Sequence, residues 1–500
     1  MYLSKSRYCS LWQCPKILWL KKHKPGEMMI DSQTLARFDA GTEVGKLACE
    51  FFGDYVSVEF NKDIQKMVEQ TQEYILDGKE VICEATFSYK NMMCSVDILK
   101  KNGEGYDLYE VKSSTDLDYI YLVDIAYQRY VLEHAGIALS SVNLVHINNQ
   151  YVREGELDIS QLFTVKNVDH LIKEEYNSIE ENIKNTELIV DSEVEPLIDI
   201  SEKCHKPYDC FFYKYCSKHL PIPSVFDLYR MNKTKQYDLY NRGIVSYGDL
   251  WQKNAANNEK QFRQIQHYLN ELPDYIDKNR ISKFLNGLSY PLYFLDFETV
   301  QDEIPQHDNA KPYQQIPFQY SLHYIEKEGG ELNHKEFLAE PEEDPRRKIA
   351  EQLCNDIPTG ACVLAYYKAF ECARISELAE LFPDLQQHLM FINFSIQDLL
   401  EPFQNGYYYN KAMGGSFSIK SVLPALFPKD KELDYKGLNL VHNGSDAMTL
   451  YPAMKNMTKE QREETRNALL AYCKLDTLAM VKIWQKLKET IDNISNNMTE

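Results

Sequence analysis

The sequence predicts an α/β chain built as two structured units with a helical stretch between them, and three observations carry that expectation. Five hundred residues exceed what one hydrophobic core organises, and at typical domain sizes they divide into two or three units. Hydrophobic residues make up 44% of the chain, with 35 Tyr and 22 Phe, and no low-complexity tract or internal repeat interrupts them, so the whole length reads as globular. Helix-like and strand-like segments alternate to about residue 218 and give way to a polar helical pattern. The alternation restarts abruptly at Tyr290-Pro291-Leu292-Tyr293-Phe294-Leu295-Asp296-Phe297-Glu298-Thr299-Val300.

Residues 1–218 form the first expected unit, with strands over 96–99 and 108–111 and an amphipathic helix over 121–134. Residues 219–288 read as a helical connector, with one helix over 227–242 stopped by Gly243 and another over 257–272. Residues 289–492 form a second α/β unit, with a strand over 361–366 and a closing helix around 465–490.

The opening Met1-Tyr2-Leu3-Ser4-Lys5-Ser6-Arg7 lacks a signal-peptide core, and no stretch approaches the ~18 apolar residues of a membrane span. A soluble, cytoplasmic protein with no membrane partner is expected. In that reducing setting twelve cysteines predict no disulfide framework, so Cys83, Cys94, Cys362 and Cys473 in apolar runs read as core fillers. Clustered cysteines point to metal ligation instead: Cys204, Cys210 and Cys216 recur with five residues in each gap, and Cys14 or Cys9 is available as a fourth ligand. The formal charge of −20 argues against a broad basic face for nucleic acid. It leaves room for carboxylates that bind divalent cations, which then meet the phosphate.

Two carboxylate patterns fit that chemistry. In the segment Cys94-Ser95-Val96-Asp97-Ile98-Leu99 and, after Gly103 and Gly105, Asp107-Leu108-Tyr109-Glu110-Val111-Lys112, two strands meet at a glycine turn. Glu110 and Lys112 are two apart and so share one strand face. Phosphodiester hydrolysis uses carboxylates to hold a divalent ion and a lysine to steady developing charge. Asp296 and Glu298 likewise share a strand face, a costly arrangement unless a cation compensates it. Tyr472 and Asp476, four apart, share a helix face.

Asp97 followed by Glu110-x-Lys112, with a helix carrying Gln128 and Tyr130, resembles the RecB-like branch of PD-(D/E)xK nucleases with their restriction-endonuclease-like fold. The resemblance implies Asp97 and Glu110 as metal ligands with Glu84 as an extra one, Lys112 as catalytic, and Gln128 as an active-site or substrate contact. Cys14-Pro15 with Cys204, Cys210 and Cys216 is similar to RecB-like nucleases that hold a [4Fe-4S] cluster, and four-cysteine Zn²⁺ is the competitor. The Asp296-x-Glu298 strand and the Tyr472-x3-Asp476 helix resemble the first and last motifs of DnaQ-like DEDD exonucleases of RNase H-like fold. That implies Asp296, Glu298 and Asp476 as ligands of Mg²⁺ or Mn²⁺ and Tyr472 as the residue that orients water. Glu371, after Tyr366-Tyr367-Lys368-Ala369-Phe370, is the expected middle ligand, with Asp398 as the alternative.

The whole order resembles a bacterial family named only as a domain of unknown function. The implied activity is a metal-dependent nuclease with two sites acting on nucleic acid, DNA ahead of RNA, with a helicase or another repair or defence protein as candidate partner. Two other readings stand beside it. In one, only the C-terminal exonuclease cuts while the N-terminal unit binds substrate; in the other, the chain is a non-enzymatic scaffold stapled by iron–sulfur or zinc. The aromatic residues offer base-stacking platforms, but most must be core, so none is singled out.

Overall fold

The computed structural model describes residues 2–30 and 32–496, with backbone alone for 32–40, 186–187 and 493–496. The chain is mixed α and β and divides into two compact units. One runs to His219 and also takes in Asp302–Gln314, and the other begins at Leu220. Among the described residues, no helix is long and apolar enough to cross a membrane.

The first unit opens with α1 (Lys5–Gln13) and α2 (Lys16–His23). Its sheet contains β1 (Val81–Tyr89), β2 (Met92–Asn102), β3 (Gly105–Lys112), β4 (Leu139–Ile147) and β5 (Phe163–Asn167), hydrogen-bonded in that order. The pairs are antiparallel except β3 with β4. That parallel step needs a crossover, supplied by α3 (Tyr119–His134), whose start is capped by Asp118 accepting from the Ile120 N–H. The glycine turn forms as expected, with Gly103 at φ +60. In β2 the apolar Cys94, Val96 and Ile98 are fully buried, while alternation turns Asp97 to the other face. A further helix, α4 (Lys173–Val190), packs against α3.

One expectation fails in this unit. Cys83 on β1 is not a lone core thiol but is disulfide-paired with Cys49 of the helix Ser32–Phe51, their Cα atoms 6.5 Å apart. The two residues are remote in sequence, and only the packing of that helix brings them within bridging range.

The second unit is organised around β6 (Leu292–Gln301), β7 (Gln315–Ile325), β8 (Asn333–Leu338), β9 (Cys362–Ala365) and β10 (Ile396–Asp398). Their order is β8-β7-β6-β9-β10. Strands β6, β7 and β8 form an antiparallel meander, whereas β9 runs parallel to both β6 and β10. The chain therefore grows the sheet to one side of β6, then crosses to the other, and β6 borders the point of reversal. Open sheets gather ligands at such a point, beyond the carboxyl ends of the parallel strands. β6 is buried at eight of its ten positions, as a strand covered on both faces requires, and its two acids stand out against the apolar run that opens it. After β9 comes α5 (Ala369–Leu381), and later α6 (Ile419–Leu426), α7 (Gly444–Ala453) and α8 (Lys459–Asn496). Helix α8 packs across β6 and β7.

The stretch expected as a separate connector is helical but belongs to this second unit. Lys260 donates to the Gln404 carbonyl, Arg263 to that of Gly406 and Gln264 to that of Gly414, tying it to the chain beyond β10. The single helix expected over 227–242 is broken: Arg230 takes φ +46, Asn232 caps a new start, and the helix proper is Lys233–Asn241.

Candidate active sites

In the first unit, β2 and β3 bring Asp97 and Glu110 together, and α3 covers them. Glu110 is buried and surrounded by donors. Lys112 Nζ is 2.5 Å from Oε1, Gln128 Nε2 is 2.7 Å from Oε2, and Lys5 Nζ is 3.2 Å from both oxygens. Lys5 also lies 3.1 Å from Asp97 Oδ1, while Asp97 Oδ2 accepts the Val111 N–H at 2.7 Å. Asp124 completes the group, accepting from Lys112 at 2.8 Å and from Gln128 at 3.0 Å. Burial alone would discharge both lysines, but Asp97, Glu110 and Asp124 outweigh it and hold both ammonium groups well above the ordinary lysine range.

Glu84, at φ +56 on β1, has an exposed residue surface. Partial burial of its carboxyl, then the charges of Asp97 and Glu110, push it up to about 7. Every residue expected at this site is there. Tyr130 is not: its hydroxyl donates to Glu180 on α4 and its ring lies against His134. Lys5 and Asp124 were missed. Asp124 carried a signal, one helical turn before Gln128 on the same face. Lys5 carried none, because it reaches the site from the far end of the unit.

In the second unit, Asp296 and Glu298 project from β6 toward α8, which supplies Tyr472, Cys473 and Asp476. One ligand atom each of Asp296, Glu298 and Cys473 falls within 4.8 Å of the others. Burial, then Asp476 and Glu298, push the Asp296 carboxyl far above the ordinary range. Burial and Asp476 do the same to Glu298, against the opposing charge of Lys420. Asp476 is raised to about 6 by burial, restrained by the hydrogen bond from Tyr435 and by Lys420.

Glu371 sits in the first turn of α5, where an acid meets the positive end of the helix. Burial, then Asp398, still push it up to about 8, and its buried Oε2 has no hydrogen-bond partner. Asp398, the alternative middle ligand, spends Oδ1 on the N–H groups of Tyr367 at 2.9 Å and Leu400 at 3.0 Å, the work of a turn-former.

Three side chains were not foreseen here. Tyr435 donates to Asp476 Oδ1 at 2.6 Å, and Lys420 Nζ lies 3.2 Å from the Tyr472 hydroxyl. Cys473, expected as core filler, is buried, but its thiol stands 3.8 Å from Asp296 Oδ2. Only Cys473 was marked in the sequence, by its place between Tyr472 and Asp476.

Cys14, Cys204, Cys210 and Cys216 line one small cavity with Ile17, Leu20 and Phe212. Gln13 holds α1 to the cysteine loop by donating to the Lys203 and Tyr208 carbonyls at 2.9 and 2.7 Å. Cys9 instead faces the charges of Asp124, Lys112 and Glu110, so Cys14 is the cysteine that joins the other three.

Residues 293–418 match a family described as a domain of unknown function, DUF2779. The match spans Asp296, Glu298 and Glu371 and ends before Tyr472 and Asp476. No curated protein matches the chain.

Proposed function

We propose that this protein is a metal-dependent nuclease whose second unit hydrolyses phosphodiester bonds, DNA ahead of RNA, in the manner of a DEDD exonuclease. The observation that carries the reading is the set of four carboxyls, half-buried Asp296 with buried Glu298, Glu371 and Asp476, whose charges disfavour one another. Lys420 is the cation that faces Glu298 and Asp476, and the Tyr435 hydroxyl also holds Asp476 down. An oxygen-rich donor set with one unpartnered Glu371 oxygen fits Mg²⁺ or Mn²⁺. These four acids would hold the metal, which when bound supplies Lewis-acid stabilisation of phosphate charge and a more acidic water. Tyr472 orients that water, Lys420 fixes the Tyr472 phenol, and Tyr435 holds Asp476 in place. A mixed sheet with both acids on its central strand, and the last motif on a helix across it, also supports the RNase H-like expectation.

The first unit supports a different reading of its PD-(D/E)xK-like pattern. Its donor set does not fit a metal as it stands, because the Lys5 ammonium lies between Asp97 and Glu110 and Lys112 neutralises the far side of Glu110. This favours a hydrolytic second unit with a first unit that grips substrate. The four thiols fit an iron–sulfur centre better than zinc. Tetrahedral zinc at 2.3 Å Zn–S bonds needs sulfurs roughly 3.8 Å apart. No three cysteine sulfurs among the described residues fall within 4.8 Å of one another.

The test is cleavage of 5′- and 3′-labelled single-stranded DNA and RNA with Mn²⁺ by anaerobically purified wild type, Asp296→Asn and Lys112→Ala. Asp296→Asn is expected to slow cleavage by at least about a hundredfold, whereas Lys112→Ala changes affinity and leaves turnover near wild type. Equal cleavage by Asp296→Asn and wild type sinks the proposal.

A further inference from the structure

The second unit holds a cleft of about 520 Å³ walled by Tyr229, Tyr366, Tyr367 and Phe417, with Arg230 and Gly415 also on its lining. Its walls are braced. The Tyr229 and Phe417 rings stand 4.4 Å apart, and the Tyr366 hydroxyl donates to the Phe417 carbonyl at 2.6 Å. The Gly415 stretch of the lining is fixed as well: a Cβ on Gly415 would meet the Asp227 carbonyl oxygen at 1.9 Å, and Gln264 ties Asp227 to Gly414. Positive charge gathers around it, with Lys260 Nζ and the Arg230 guanidinium 5.4 and 5.5 Å from the centre of the Tyr229 ring.

Tyr367 departs most from ordinary packing. It is a bulky aromatic at φ +74, a backbone region that disfavours such side chains, and it remains 57% exposed. The Asp398 carboxylate holds it there by accepting its N–H. An exposed aromatic kept in a strained conformation by a half-buried brace is what a stacking platform needs, since the ring is presented before any ligand arrives. The cleft and the candidate site draw on neighbouring residues of the chain. Tyr367 lies two residues before α5, whose first turn carries Glu371, and the wall residue Ile419 precedes Lys420.

We propose that this cleft is the seat of an unpaired nucleobase at the end of the nucleic-acid strand, stacked on Tyr367, with Arg230 meeting the adjoining phosphate. Aromatic walls accept any base face, and a cation beside them matches the backbone charge. A base paired at a duplex end exposes one face but is held by its complement and cannot enter the cleft, which therefore selects single-stranded ends. This inference rests on the nuclease reading above.

The experiment uses the full chain and a 3′-fluorescein oligo-dT of ten residues, with Mn²⁺, reading KM and kcat for wild type, Tyr367→Ala and Arg230→Gln. A second oligo-dT, abasic at its terminal nucleotides, is run beside it. Tyr367→Ala is expected to raise KM about tenfold or more on oligo-dT, the scale of one lost base stack, with kcat within about threefold. On the abasic strand, wild type and Tyr367→Ala should have the same KM. Arg230→Gln should raise KM on both strands and weaken its salt dependence. If wild type cuts oligo-dT and Tyr367→Ala matches it in KM, the cleft proposal is overturned while the nuclease reading stands. If wild type neither binds nor cuts either strand, both fall together.

Discussion

Lys5 contributes a charge where the sequence pattern leads one to expect a metal. Its ammonium is within 3.2 Å of oxygens from both Asp97 and Glu110. Removing one partner of a buried ion pair leaves the other uncompensated, although Lys112 still faces Glu110 and Lys5 keeps some solvent contact. Lys5→Met is therefore expected to cost about 1–3 kcal/mol, read as a lower melting temperature in EDTA. Mn²⁺ should restore part of the loss, because the vacated position then suits a cation. A melting temperature equally low with and without Mn²⁺ would make Lys5 a structural cation alone. In the other unit, Tyr472→Phe removes the hydroxyl that Lys420 fixes and no carboxylate. It should slow cleavage about 10–100-fold while leaving Mn²⁺ affinity unchanged, and loss of metal binding in this variant would contradict the assigned role. At this scale the sequence was legible where partners sit two or four positions apart on one element, as Asp296 with Glu298 or Tyr472 with Asp476. Lys5, Lys420 and Tyr435 arrive from other elements, and no local spacing announces them.

Helix α8 links the site to the rest of its sheet. One residue past Asp476, Thr477 lies 2.7 Å from His323 Nδ1 and 2.7 Å from Ser321 Oγ, and Ser321 is 2.9 Å from His334 Nε2. Burial drives both imidazoles down, His323 to about 3 and His334 to about 4. In the unfolded chain they titrate near 6.5, so below that pH the unfolded state takes up protons that the folded state refuses. The contribution to stability is present above about 6.5 and is lost as pH falls toward 4. The raised carboxyls of the two sites pull the other way in both proteins, so in thermal melts between pH 7.5 and 5 the wild-type midpoint should fall more, or rise less, than that of His334→Gln; parallel slopes would contradict it. Elements were legible in kind more than in extent. The hairpin of β2 and β3 and the helices α3 and α8 run beyond the expected spans, since periodicity continues past the residues that first reveal it. The 227–242 helix failed because Asn232 offers a side-chain cap inside it.

Over the whole molecule, a charge of −20 coexists with two constellations of acids that handle repulsion differently. The first unit answers its carboxylates with two lysines, whereas the second leaves Asp296 among three other acids, with Lys420 facing Glu298 and Asp476 and Arg374 facing Glu371. The contrast is the ground on which hydrolysis is proposed for the second unit. The break before β6 was readable because the strand opens on the apolar run over 292–295 and carries two acids at alternate positions after it. The inclusion of Asp302–Gln314 in the first unit was not, because the loop leaves and re-enters the second unit between adjacent strands. The gathering of cysteines was readable from three clustered thiols, but the choice of Cys14 over Cys9 depended on how α1 packs. Cys204→Ser should abolish the visible absorbance and the iron and sulfide content of the anaerobically purified protein. It should also lower the melting temperature, since the centre joins α1 and α2 to a loop almost two hundred residues away. Zinc in stoichiometric amount without iron would instead identify a four-cysteine zinc site.

The central claim is that the acids of the second unit, and not those of the first, hold the divalent cations. Calorimetric titration of Mn²⁺ into metal-free wild type, Asp97→Asn and Asp296→Asn tests it directly. Wild type and Asp97→Asn are expected to give the same binding isotherm, and Asp296→Asn to lose it. Binding retained in Asp296→Asn and lost in Asp97→Asn would contradict the claim and return the metal to the first unit.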